Sequence, residues 1–136
     1  MAIDVISLDH IHVYSAAPDD SATFYIDNFG AAVLKRDHNS EGDDRIFLAV
    51  GKQILVIGPF PSGITSSQPP DAGRGAFVHG FGVAHFGLRV ADIEAAVTEL
   101  RSHGVRVTTD VVREDSGLSY AYLAAPDGVM IELTQY

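Results

Sequence analysis

Two histidines and one glutamate carry most of the chemistry open to this chain. His10 and His85 stand at equivalent places in two halves that repeat each other, and Glu132 lies in the last apolar run of the second half. Each histidine sits in a strand-like stretch, Leu8-Asp9-His10-Ile11-His12-Val13 and Val83-Ala84-His85-Phe86-Gly87-Leu88. Imidazole nitrogen and carboxylate oxygen are donors that divalent cations take. Brought into one shared cleft, the three read as a mononuclear metal enzyme. The chain has no cysteine, so thiolate ligands, thiol nucleophiles and disulfides are excluded, and His, carboxylate and Tyr must do any chemistry. His12 shares the strand face of His10 by the period of two, which suits a group that supports the metal site or moves a proton, or plain packing. His103 at a helix end reads as a dipole partner, and His38 in a polar stretch as solvated.

The elements that must position these residues repeat in the same order. Pro18-Asp19-Asp20-Ser21 opens a helix whose apolar residues Ala22, Tyr25, Ile26 and Phe29 follow helical spacing, with Gly30 as the stop. In the second half Asp92 is a good N-cap, Ile93, Ala96, Val97 and Leu100 keep that spacing, and His103-Gly104 closes a helix expected to run about one turn longer. Three strands follow each helix: Ala32 to Arg36, Arg45 to Val50 and Gln53 to Ile57, then Val105 to Thr109, Leu118 to Leu123 and Val129 to Tyr136. Pro126-Asp127-Gly128 makes the last turn. Between the halves, Gly58 to Gly82 holds four Pro and six Gly without helical periodicity and reads as a linker beside the pocket. The expected layout is a first module over 1–60, a linker over 61–79 and a second module over 80–136, together one structural domain.

Composition narrows the function classes. At 136 residues, 46% of them apolar and 20% charged, the chain suits one core or two small fused modules. No run reaches the roughly 20 apolar residues of a membrane span. A net charge of −9 argues against nucleic acid or an anionic membrane as partner, because both are bound through clusters of Lys and Arg. The start, Met1-Ala2-Ile3-Asp4, lacks the basic and apolar regions of a signal peptide, so a cytoplasmic location is expected.

The doubled unit, with Asp9-His10-Ile11-His12-Val13 at its start, Ala84-His85-Phe86-Gly87-Leu88-Arg89-Val90 opening the second half and Pro126-Asp127-Gly128-Val129-Met130-Ile131-Glu132-Leu133-Thr134-Gln135-Tyr136 at the end, resembles the vicinal oxygen chelate superfamily. That group includes glyoxalase I, methylmalonyl-CoA epimerase, extradiol dioxygenases, fosfomycin-resistance transferases and bleomycin-binding proteins. The resemblance implies an α+β fold of two paired βαβββ modules whose sheets form a cup around a divalent metal, completed in a dimer. It implies His10, His85 and Glu132 as metal ligands. The family's fourth ligand, a Glu or Gln four residues before a Pro, falls here on Leu55, with Gln53 as a substitute from a shifted register.

Two histidines and one carboxylate form the facial set that leaves room for substrate and O2 on Fe(II). Tyr122, ten residues before Glu132, matches the pocket Tyr of extradiol dioxygenases, and alternation puts Tyr120 on its face, with aromatic packing as the other reading of both. His79 is a loose match to those enzymes' additional pocket His. The resulting expectation is an Fe(II)-dependent oxygenase, with Ni, Co, Mn or Zn as other metals. It would act on an aromatic or polyketide-like substrate that chelates through adjacent oxygens. Tyr122, His79 and His12 would supply hydrogen bonds or protons, while Phe47, Phe77, Phe81 and Tyr120 would wall the substrate. A Lewis-acid isomerase or lyase of the glyoxalase or epimerase kind, and a non-enzymatic drug-sequestering protein, are the rivals. Two helices are too few to cover both sheets, so a homodimer with shared metal sites is also expected.

Overall fold

The computed structural model describes residues 1–65 and 81–136, and the same βαβββ order occurs twice in it. The chain divides into two compact units between Thr65 and Ser66. The first contains β1 (His10–Tyr14), α1 (Pro18–Phe29), β2 (Ala32–His38), β3 (Asp44–Val50) and β4 (Gln53–Gly58). The second contains β5 (Phe86–Arg89), α2 (Ile93–Ser102), β6 (Val107–Arg113), β7 (Ser119–Ala124), a 3-10 turn at Pro126–Gly128, and β8 (Met130–Gln135). Each unit makes one four-stranded mixed sheet, ordered β1-β4-β3-β2 and β5-β8-β7-β6. The opening strand runs parallel to the closing strand, and the other neighbours are antiparallel.

The helix ends are chemically distinct. α1 starts at Pro18, whose missing N–H costs nothing in a first turn, and stops at Gly30, where the left-handed φ of 64° lets the backbone N–H reach the Ile26 carbonyl. In α2 the Asp92 carboxylate accepts from Ala95 N–H at 3.0 Å, and the Gln135 amide oxygen accepts from Ile93 N–H at 2.8 Å. The expectation that the second helix is the longer is reversed, since α1 has 12 residues and α2 has 10. His103 already takes the C-cap and Gly104, at φ 81°, turns the chain away.

Each helix covers one face of its own sheet. In the first unit Ala22 and Tyr25 of α1 are buried together with Ile46, Leu48, Leu55 and Ile57 of the sheet. In the second, Ile93, Val97 and Leu100 of α2 are buried with Ala121, Leu123, Ile131 and Leu133. Each fully buried Leu or Ile contributes about 1.5–3 kcal/mol of transfer free energy, which fixes strand register because a one-residue slip would turn the apolar set outward. The opposite face of each sheet, free of its helix, carries the candidate site residues. No described helix is long and apolar enough to cross a membrane.

Candidate functional site

Alternation and register define three rows on the open face of the first sheet. His10 pairs with Ile54, Ala49 and Ala32 across the strands. His12 pairs with Val56, Phe47 and Lys35. Tyr14 pairs with Gly58, and Asp37 with Arg45, in the third row. His10 is the first residue of β1, and its Nδ1 faces the Asp9 carboxylate at 2.7 Å. That contact favours the proton on Nδ1 and leaves the Nε2 lone pair for a ligand. The His12 ring lies 5.2 Å from that of Tyr14, which meets Phe60 edge-on at 5.2 Å. Burial, then the neighbouring His10, then Arg45 lower the pKa of His12, favouring its neutral imidazole.

The second sheet brings a denser set together. His85 lies one residue before β5, and its Nε2 stands 3.0 Å from Glu132 Oε2. The Tyr122 ring meets that of His85 edge-on at 5.2 Å and that of Tyr120 at 5.7 Å. Tyr122 pairs with Glu132 and Tyr120 with Thr134, so all four side chains share the open face. Burial first, then the Glu132 carboxylate, raises the pKa of Tyr122, and its hydroxyl therefore keeps its proton as a donor. Imidazole nitrogen and carboxylate at hydrogen-bond distance suit a divalent cation, which would take the place of the proton they share. Within neither unit do three His, Asp or Glu side chains converge among the described residues.

The position expected for a fourth ligand moves by one residue. Leu55 is buried on the helix-covered face, in register with Ile11 and Leu48, opposite to His10. Gln53 falls on the Leu55 side by alternation, and its amide donates to the Ile54 carbonyl at 3.1 Å and the Asp9 carbonyl at 3.4 Å. Equivalent registers identify the true counterpart of Glu132. Gly87, two residues after His85, pairs with Glu132, and His12, two residues after His10, pairs with Val56. Val56 therefore stands where the second sheet has its carboxylate, and its side chain has no donor. Counting back from Pro59 could not show this, because a single-residue offset exchanges the two faces.

Of the other expected residues, Phe47 lies in His12's row with Lys35 Nζ 4.3 Å and Arg45 Cζ 5.4 Å from its ring centre. Phe81 is fully exposed in its own unit. Phe77 and His79 lie outside the described residues. His38 pairs with Asp44, and His103 Nε2 with Glu99 at 3.0 Å, neither on the open faces' histidine rows. Sequence reasoning passed over Tyr14, Arg45 and Gly58. The first was legible from the alternation His10, His12, Tyr14, whereas the other two needed the cross-strand register.

This twofold βαβββ architecture, with a histidine opening each sheet and a carboxylate on the last strand, defines a class of protein. Residues 7–133 match the Glyoxalase/Bleomycin resistance protein/Dioxygenase superfamily, and the chain belongs to it. A comparison with curated proteins gives no match. Among solved structures, SMU.1112c is similar at 25% identity and a TM-score of 0.74, with 96% of this chain and 99% of that one covered. A glyoxalase family protein from Enterococcus faecalis is similar at 23% identity and TM-score 0.72, covering 95% and 97%. The fosfomycin resistance protein FosX from Listeria monocytogenes shares the fold at 13% identity and TM-score 0.71, covering 96% and 93%.

Proposed function

We propose that the chain is a metal-dependent oxygenase in which His10, His85 and Glu132 hold one divalent metal, Fe(II) in the first instance. Its substrate would be an aromatic or polyketide-like molecule that chelates through adjacent oxygens. The observation that carries this reading is Val56 at the place equivalent to Glu132, which limits the set to two imidazoles and one carboxylate. Such a set leaves positions open for a chelating substrate and O2, whereas a fourth carboxylate or amide would fill one of them. When bound, the metal would supply positive charge to the substrate oxygens and a place for O2 to react.

The remaining roles belong to the chain. Asp9 orients His10 so that Nε2 is the donor. Tyr122, protonated and beside Glu132, donates a hydrogen bond to a substrate oxygen as charge develops there. His12 in its neutral form accepts a proton from a substrate hydroxyl. Tyr120, Phe47, Phe77 and Phe81 would give flat apolar walls, and His79 would share the hydrogen-bonding or proton role of Tyr122 and His12.

Oxygen consumption by anaerobically prepared, Fe(II)-loaded protein tests the reading on a panel of catechols and vicinal diketones. Turnover should require O2 and consume it in step with substrate. Turnover that proceeds equally without O2 would transfer the protein to the Lewis-acid isomerase or lyase class. Tight binding with neither metal nor turnover would make it a sequestering protein.

A further inference from the structure

The open face of the second sheet continues beyond the pair of His85 and Glu132. Alternation puts His85, Gly87 and Arg89 on this face, and register sets Gly87 beside Glu132, and Arg89 beside Thr134 and then Tyr120. Gly87 has no left-handed φ that would call for a glycine. Among the described residues, a Cβ added there would meet Glu132 alone, 3.8 Å from its backbone oxygen and 3.8 Å from Oε2, so the space above Gly87 is open. The glycine thus keeps a gap between the His85 and Arg89 side chains. Arg89 is exposed, and its Cζ lies 5.1 Å from the centre of the Tyr136 ring. Stacking on a ring holds the guanidinium plane and leaves its N–H edge available to a planar anion. Arg36, Arg45, Arg101 and Arg113 each pair with a carboxylate, at 2.8 to 3.5 Å, whereas no Asp or Glu among the described residues pairs with Arg89. In a chain with 18 acidic and 9 basic residues, an arginine kept clear of carboxylates has a place for an anion. Arg113, the other basic strand residue of this sheet, reaches Glu94 of α2 and Ser119 on the covered face.

We infer that Arg89 receives a carboxylate of the substrate, which spans the gap at Gly87 from the end held at His85 and Glu132. At about 3.3 Å per residue, Arg89 lies roughly 7 Å along the strand from the row of Gly87 and Glu132, and its lean towards Tyr136 lengthens that span. A single guanidinium, with no second strand cation on this face among the described residues, matches one negative charge, a carboxylate rather than a phosphate. Tyr120, in Arg89's row, offers its ring to a planar group between the two ends. The substrate class is accordingly a flat molecule with adjacent oxygens at one end and one carboxylate at the other. The inference rests on the metal site proposed above for its chelating end, and on the second unit alone for its carboxylate end.

Caffeate, its methyl ester and cinnamate separate the two ends. Calorimetric titration of Fe(II)-loaded protein under argon should show caffeate bound about tenfold more tightly than its ester, the worth of one charge-assisted contact. Added salt should shrink that preference, because Arg89 is exposed. Arg89→Met keeps the apolar stem without the charge, and should bring caffeate down to the ester's affinity while Fe(II) content stays that of the wild type. Arg89→Lys should recover only part of the preference, since an ammonium cannot fork onto a carboxylate. Circular dichroism would confirm that both variants fold. Equal affinity for caffeate and ester, a preference indifferent to salt, or an unchanged preference in Arg89→Met overturns the carboxylate anchor, and the metal reading stands wherever caffeate binding still needs Fe(II). Cinnamate lacks the chelating oxygens; its weak binding in an Arg89-dependent manner, while caffeate gains nothing from Fe(II), supports the anchor and overturns the metal reading.

Discussion

The contact between Asp9 and His10 is the smallest feature with a functional consequence. Both groups are solvent-accessible, so the pair adds little stability, yet it selects the imidazole tautomer. Asp9→Asn should leave thermal unfolding unchanged and weaken metal binding by about tenfold to a hundredfold, the usual effect of losing such a partner, as read by anaerobic competition with a chromophoric chelator. Asp37 offers a second test. Its hydrogen bond with Arg45, more than any other influence, holds its carboxyl below the usual carboxylate range. A depressed folded-state pKa stabilises above the unfolded value of 3.8 and loses that contribution as pH falls through the lower folded value. The stability difference between the wild type and Asp37→Asn should therefore be constant near neutrality and shrink only in strongly acidic solution. A difference that instead vanishes between pH 5 and 8 would contradict this assignment of the pair.

The strands decide what those residues can reach. Period-two alternation made His10 and His12 legible as one face, and helical spacing with Pro18, Gly30 and Asp92 located both helices, because these signals are local. Register between strands is not local, which is why the fourth-ligand position was placed at Leu55 when the sheet puts Val56 there. The two positions predict opposite behaviour. Leu55→Gln buries an unpaired amide in the helix-covered core and should cost about 2–4 kcal/mol in urea unfolding, with metal preference unchanged. Val56→Glu places a carboxylate on the His12 face at a position as buried as Leu55, 2% exposed each, so it too costs stability in the metal-free protein. It should shift selectivity from Fe(II) towards Ni(II) or Co(II) and suppress O2 uptake by roughly tenfold or more, since the added ligand fills a position O2 needs. A metal-preference change in Leu55→Gln but not in Val56→Glu would reverse this account.

At the scale of the whole molecule, the proposed ligands come from both units, His10 from one and His85 with Glu132 from the other. The repeated order of strands and helices was readable because each half carries its own histidine, helix and hairpin pattern. Subunit exchange between His10→Ala and Glu132→Ala proteins should regenerate one intact centre per heterodimer if the site is shared, and metal binding recovers only then. The most direct test of the central claim is the Fe(II) stoichiometry of the anaerobically reconstituted wild type beside His10→Ala, His85→Ala and Glu132→Ala. The account predicts one Fe(II) per chain in the wild type and none retained in each folded variant, while full occupancy in any one of them would contradict it.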